Sequence, residues 1–284
     1  LMTTTVTITG TGCPIPDAER AGPGVLVDVD GLRLQFDAGR STVQRLAGAG
    51  LPYAEIDAVF ITHHHSDHLT GLQDLVLTRW VMARGEVRPP LPIVVPAGPA
   101  ESFVREMLHP WRHDLDVRAT HANRSDPLTL DIVPFDLPDQ PTEVWRRGDV
   151  RVLAGQVRHE PVHPAVGFRV ETPDGIVAIT GDTLVCDEVA ALAAGADVLV
   201  YEAMRFERIR QRPPHLQFIL DYHADTPRIG AQAAELGVPI LVLTHLIPPP
   251  ESDDDVQAFV DDIRTAGYAG ELVVAEDLSQ VTLG

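Results

Sequence analysis

The run Phe60-Ile61-Thr62-His63-His64-His65-Ser66-Asp67-His68-Leu69-Thr70-Gly71 sets four histidines and one aspartate within positions 63–68. Imidazole and carboxylate groups crowded in this way are costly unless something binds them. In an extended segment alternate residues face the same way. His63 and His65 can then converge on one point while His64 faces away, and a strand-to-helix turn can aim Asp67 and His68 at a second point. Imidazole and carboxylate ligands without thiolate suit Zn2+ or another borderline divalent ion. Such a loop supplies too few ligands alone. Three more candidates each follow a strand-like segment: His159 after 150–157, Asp182 in ITGDT, and His245 in LTHLIPP.

The elements that have to position these residues are short. Apolar alternation predicts strands at 4–9, 24–29, 32–36, 57–61, 91–95, 150–157, 165–171, 176–180, 197–201, 239–244, 271–275 and 279–283, with weaker ones near 128–135 and 143–146. Asp30-Gly31 and Asp174-Gly175 mark hairpins. Helices are expected at 41–49, 68–83, about 99–108, 186–194, 214–221, 227–236 and 253–265, and the proline-rich section 88–148 reads as less regular. Strands come first and helices follow, and this order repeats after residue 150. An α/β fold is expected, a four-layer αββα sandwich formed as one domain over residues 1–284.

With 284 residues, 44% of them hydrophobic, the chain can bury a substantial core. No apolar run reaches the roughly 18–20 residues that cross a bilayer. The opening residues lack the basic and apolar regions of a secretory leader, so a cytoplasmic protein without membrane contact is expected. Cys13 and Cys186 follow no ligand or disulfide spacing and read as packing residues. The net charge is −19, and every basic residue apart from histidine is an arginine. Such a surface should repel a polyanion, which counts against nucleic acid as a partner, although a local arginine patch can hold a small anion.

Taken in order, these motifs resemble those of the metallo-β-lactamase fold superfamily: HHHSDH matches HxHxDH, and His159, Asp182 within GDT and His245 follow. GTGCPIPDAERAGPGVLVDVDG, LQFDAGRSTVQRL, VLVYEA and YHADTPRIGAQAAELGVPILVLTHLIPP are similar to the ribonuclease Z and arylsulfatase-like branch, so the resemblance covers nearly the whole chain. It implies a hydrolase with two Zn2+ ions, Mn2+ or Fe2+ being the alternatives. His63, His65 and His159 would hold the first ion, Asp67, His68 and His245 the second, and Asp182 would bridge them. Paired ions of this kind ready a hydroxide for attack and stabilise charge on the attacked centre. Asp37, in FDAG, would orient a ligand histidine. His163 lies four residues after His159; the arylsulfatase-like spacing back from GFR selects His159, whereas the ribonuclease Z spacing falls between the two. Catalytic roles fall to Asp67 and to Glu202 and His223, a Glu–His pair that would protonate the leaving group. The family's HEA reads YEA here. The resemblance also suggests a homodimer.

Ribonuclease Z grips tRNA through a long arm between the third metal histidine and GDT, and here that interval spans only residues 159 to 182. Together with the charge, this favours a small phosphodiester, sulfate ester or related ester as substrate. A tRNA 3′-processing endonuclease is the alternative, ahead of a lactonase or thioesterase. Arg205, Arg208, Arg210 and Arg212, with Phe206, His215, Phe218 and Tyr222, are the candidates to wall the pocket. Trp111, His113, His121 and Trp145 are the candidates to cover it from the other side.

Overall fold

A computed structural model describes residues 3–51, 55–83, 89–124 and 127–284. The first half runs through β1 (Thr4–Gly10), β2 (Gly24–Val29), β3 (Leu32–Phe36), α1 (Thr42–Gly48), β4 (Ala58–Phe60), α2 (Ser66–Leu69) and α3 (Leu72–Met82). It continues with β5 (Leu91–Pro96), α4 (Pro99–Glu106), α5 (Arg112–His121) and β6 (Leu130–Phe135). The second half runs through β7 (Thr142–Arg147), β8 (Val150–Gln156), β9 (Val166–Thr172), β10 (Gly175–Ile179), α6 (Asp187–Ala193), β11 (Val198–Met204) and α7 (Phe206–Arg210). The chain then completes α8 (Thr226–Leu236), β12 (Ile240–Ile247), α9 (Asp253–Thr265), β13 (Glu271–Val274) and β14 (Gln280–Leu283).

Two mixed sheets result, ordered β14-β1-β2-β3-β4-β5-β6 and β13-β12-β11-β10-β9-β8-β7. The period-2 alternation of each strand decides what lies between and outside them. Ala58 and Phe60 of β4 point into the shared core with Val198 and Val200 of β11 and Val242 of β12. Val59 and Ile61 point outward, beneath Leu46 of α1 and Leu72, Leu75 and Val76 of α3. Leu199, Tyr201, Leu241 and Leu243 point outward beneath α6, α8 and α9. Both sheets are therefore covered on both faces, which makes the expected αββα sandwich. Phe36, Phe60 and Phe168 meet where the sheets face each other, with Phe36 stacked on Phe60 at 4.7 Å between centroids. No helix among the described residues is long and apolar enough to cross a membrane.

Several local expectations shift. The helix expected over 68–83 is two helices, because Gly71 lies against the loop after β3. A Cβ on Gly71 would stand 1.9 Å from the Gly39 carbonyl oxygen, and one on Gly39 would stand 2.5 Å from the Asp67 carbonyl oxygen. Bare backbone packs on bare backbone there, tied by Gly71 N–H to Ala38 O and Ala38 N–H to His68 O, both 2.9 Å. Within 88–148, whose residues 88, 125 and 126 lie outside the described set, α5 is a regular helix with no buried residue. Residues 214–221 form a 3-10 rather than an α-helix. Trp145 belongs to the packing between the sheets. It packs edge-on against Phe60 at 5.7 Å. Trp111 lies on the surface, its indole N–H donating to Gln73. Cys13 and Cys186 are both buried, and burial pushes the Cys13 thiol up to about 11.

Candidate metal centre

Parallel strands bring their C-terminal ends to one edge of a sheet, where loops can carry functional groups. β3, β4, β5 and β6 are parallel, as are β10, β11, β12 and β13. Asp37 directly follows β3 and His63 follows β4 within three residues, while Asp67 and His68 sit in α2. From the second sheet come His159 after β8, Asp182 after β10, Glu202 near the end of β11 and His245 near the end of β12. His245 does not follow its strand as expected but lies within it, at a bulge. Glu202 pairs with Thr244 and Ala203 with Leu246, so His245 is the extra residue, with φ of 47°. A bulge re-aims one side chain at the cost of local strain, and such positions gather at functional sites.

The side chains meet in overlapping sets, each with ligand atoms within 4.8 Å of one another: His63, His65, His159 and Asp182; Asp67, His68 and His245; and Asp182, His223 and His245. Asp182 Oδ2 lies close to members of each. It stands 3.8 Å from Nε2 of His63 and of His159, 3.3 Å from Nε2 of His68 and 3.5 Å from Nε2 of His245. Asp67 Oδ2 is 3.4 Å from His245 Nε2. His64, half-buried, and His163, exposed, belong to no such group among the described residues.

Hydrogen bonds fix which nitrogen each ring presents. Asp37 accepts the Thr62 N–H (2.9 Å), the Thr62 hydroxyl (2.8 Å) and the His68 Nδ1–H (2.7 Å). The Thr62 hydroxyl has one proton and gives it to Asp37, so it accepts from His63 Nδ1 at 2.9 Å. His159 Nδ1 donates to the Tyr222 carbonyl, which can only accept, at 2.9 Å. All three rings therefore turn Nε2 toward the cluster, the arrangement that orients imidazole for a metal. Thr62 and the Tyr222 carbonyl were not legible as supports. One reads as a polar loop residue, and the other contributes only main chain.

Burial pulls His63 well below the ordinary histidine value, takes His159 down to about 4 and lowers His65. These rings stay neutral and able to coordinate. For Asp182 burial acts upward, but His245 and His68 outweigh it and hold the carboxyl well below its usual range. For His68 burial acts downward, and Asp182 and Asp37 outweigh it, keeping a proton on the ring. A divalent ion would take over that balancing of buried carboxylates. The fit is also visible atom by atom: Nε2 of His63 and of His68 and Oδ1 of Asp182 are buried without a hydrogen-bond partner. Such orphans are rare in native interiors. The residues fit a dinuclear metal site.

Beside this cluster, His223 Nδ1 donates to Glu202 Oε1 at 2.9 Å, and the same oxygen accepts the N–H groups of Thr183 and Ala224 at 3.1 Å. Burial lowers His223, but the Glu202 charge and hydrogen bond outweigh it and leave the ring above the ordinary histidine value. Its ring lies 5.6 Å from that of His245. Of the candidate arginines, Arg205 pairs with Asp262 at 2.8 Å, and Arg210 lies over the Phe206 ring. Arg208 and Arg212 line a small hollow with Pro248, Pro249, Pro250 and Asp255.

A family profile described as "Beta-lactamase superfamily domain" matches residues 31–246. The Ribonuclease Z of Mycolicibacterium gilvum is 38% identical over 281 residues, covering 97% of this chain and 95% of that protein. Among solved structures, the metallo-beta-lactamase fold protein YhfI from Bacillus subtilis superposes with a TM-score of 0.72 and human tRNase Z, short form, with 0.71. Each is 21% identical over 99% of both chains and shares the fold. The exclusion of nucleic acid as a partner does not survive a ribonuclease this similar over nearly the whole length. Both of its grounds fail. The 281 aligned residues scarcely exceed the 97% of this chain that they cover, so the relative holds no arm-sized insertion either. A net charge of −19 is a sum over the whole surface, whereas charges act over only about 8 Å at physiological salt. The chain is a metal-dependent hydrolase and belongs to the metallo-β-lactamase fold superfamily, in its ribonuclease Z branch.

Proposed function

We propose that the chain is an endonuclease that removes the 3′ trailer of precursor tRNA. The observation that carries this is the near-complete match to a Ribonuclease Z at 38% identity, without an arm-sized insertion. The whole of 1–284 would act as one domain, since the first two ligand sets draw on both sheets.

In this reading His63, His65 and His159 would hold one divalent ion and Asp67, His68 and His245 the other, with Asp182 close to both sets. Bound ions supply the positive charge and the acidified water that phosphodiester hydrolysis needs. The chain's own residues do the rest. Asp37 and Thr62 hold His68 and His63 in the coordinating tautomer. Glu202 keeps a proton on His223 and points the ring, leaving its Nε2–H to protonate the departing 3′ oxygen. Asp67 positions both the ion and, through His245, the bulged strand.

The test is cleavage of a precursor tRNA carrying a 3′ trailer by purified protein loaded with zinc, manganese or iron. A single cut at the trailer boundary supports the reading. Hydrolysis of bis(p-nitrophenyl) phosphate with no RNA cleavage would refute it while leaving the hydrolase assignment intact.

A further inference from the structure

A cleft of about 380 Å3 opens beside His65, lined by Glu160, Pro161, Val162, Phe218, Asp221 and Tyr222. That volume falls within the roughly 300–1,000 Å3 of small-ligand pockets. Phe218 is 58% exposed, although it stands next to the metal cluster, and its ring lies 6.2 Å from that of Tyr222. Tyr222 is in turn locked to the centre. Its carbonyl accepts the His159 Nδ1–H, and its ring lies edge-on to His159 at 5.1 Å and 4.9 Å from His223. The aromatic wall thus holds a fixed distance from both the ligand cluster and the Glu202–His223 pair.

The lining selects its occupant. Among the described residues no arginine lines this cleft, and the two charged side chains that do, Glu160 and Asp221, are both acidic. A phosphate would be repelled. A neutral planar ring would stack on the aromatic wall, and its N–H groups would find carboxylate acceptors at the rim. The bases of RNA meet both conditions, and stacking of a base on an aromatic side chain contributes about 1–3 kcal/mol. We infer that Phe218 and Tyr222 form a stacking platform for a nucleobase next to the scissile phosphodiester, a subsite that rests on the RNA-cleaving reading above.

Two measurements test it. The first needs no cleavage: equilibrium binding of adenosine 5′-monophosphate and of ribose 5-phosphate to the zinc-loaded protein. Wild type should prefer the base-bearing ligand by about tenfold. Phe218→Ala should lose most of that preference, and Phe218→Tyr should keep it. Equal binding of the two ligands by wild type, or an unchanged preference in Phe218→Ala, would overturn the platform. The second uses RNA substrates with a normal or an abasic ribose flanking the cut. Phe218→Ala should raise KM about tenfold on the normal substrate, with kcat held, and the variant's difference from wild type should vanish on the abasic one. A KM increase equal on both substrates would overturn it. Failure of wild type to cut precursor tRNA would sink the proposed function instead, and the monophosphate comparison would still decide the platform.

Discussion

Asp37 touches no ion in the proposed arrangement, yet one carboxylate sets the tautomers of His68 and, through Thr62, of His63. Its φ of 52° is part of how the loop after β3 reaches them. Asp37→Asn should weaken metal affinity about 10–100-fold, read by competition with a chelator, as supports of ligating histidines do. Asp182→Ala removes the oxygen shared by both sets, and activity should fall roughly a thousandfold or more, with fewer ions per chain. His64→Ala should leave the ion count unchanged. The ligand candidates were legible because histidine and aspartate at strand ends stand out against an apolar background. The supports were not. A threonine in the loop after a strand looks like any other polar loop residue, and the hydrogen bond of a main-chain carbonyl leaves no mark in the sequence.

At the level of elements, the loop holding Asp67 and His68 rests on glycine backbone, and Gly39 has no room for a side chain. Gly39→Ala should cost about 1–3 kcal/mol in denaturant midpoint and also weaken metal binding, because relief of the overlap displaces α2. Away from the site, Glu171 joins β8 to β9, pairing with Arg169 at 2.9 Å and with Arg151 across the strands. The Arg169 hydrogen bond holds its carboxyl below the ordinary value of 4.5. A carboxyl lowered on folding contributes fully above its unfolded value and loses that contribution as pH falls through its folded one. Glu171→Gln should therefore cost about 0.5 kcal/mol at pH 7, after allowance for solvent screening, and less at pH 3. Denaturation curves at the two pH values would show it. Strands of both sheets were readable because alternate residues face a core and a helix layer. α5 was not, since it buries no residue and so carries no apolar stripe. The bulge at His245 was hidden because one extra residue in a strand of apolar neighbours breaks no pattern.

For the whole molecule, composition misled where topology did not. The charge of −19 argued against RNA, but binding depends on the few arginines that meet phosphate. If Arg208, Arg210 and Arg212 are those contacts, log kcat/KM for precursor tRNA should fall with log salt at a slope of only about −2 to −3. A slope near −10 would mean a far larger basic surface than this chain has. Two of the ligand sets take residues from both sheets: His63 and His65 with His159 and Asp182, Asp67 and His68 with His245. Each ion bound at 100 times its dissociation constant adds about 2.7 kcal/mol, so chelation should lower Tm by roughly 5 °C or more. The two halves of the sandwich are thus riveted together at the edge where the work is done. Metal starvation would remove those ties, and the less stable enzyme would be easier prey for proteases. Its abundance would then follow the metal supply without a dedicated regulator.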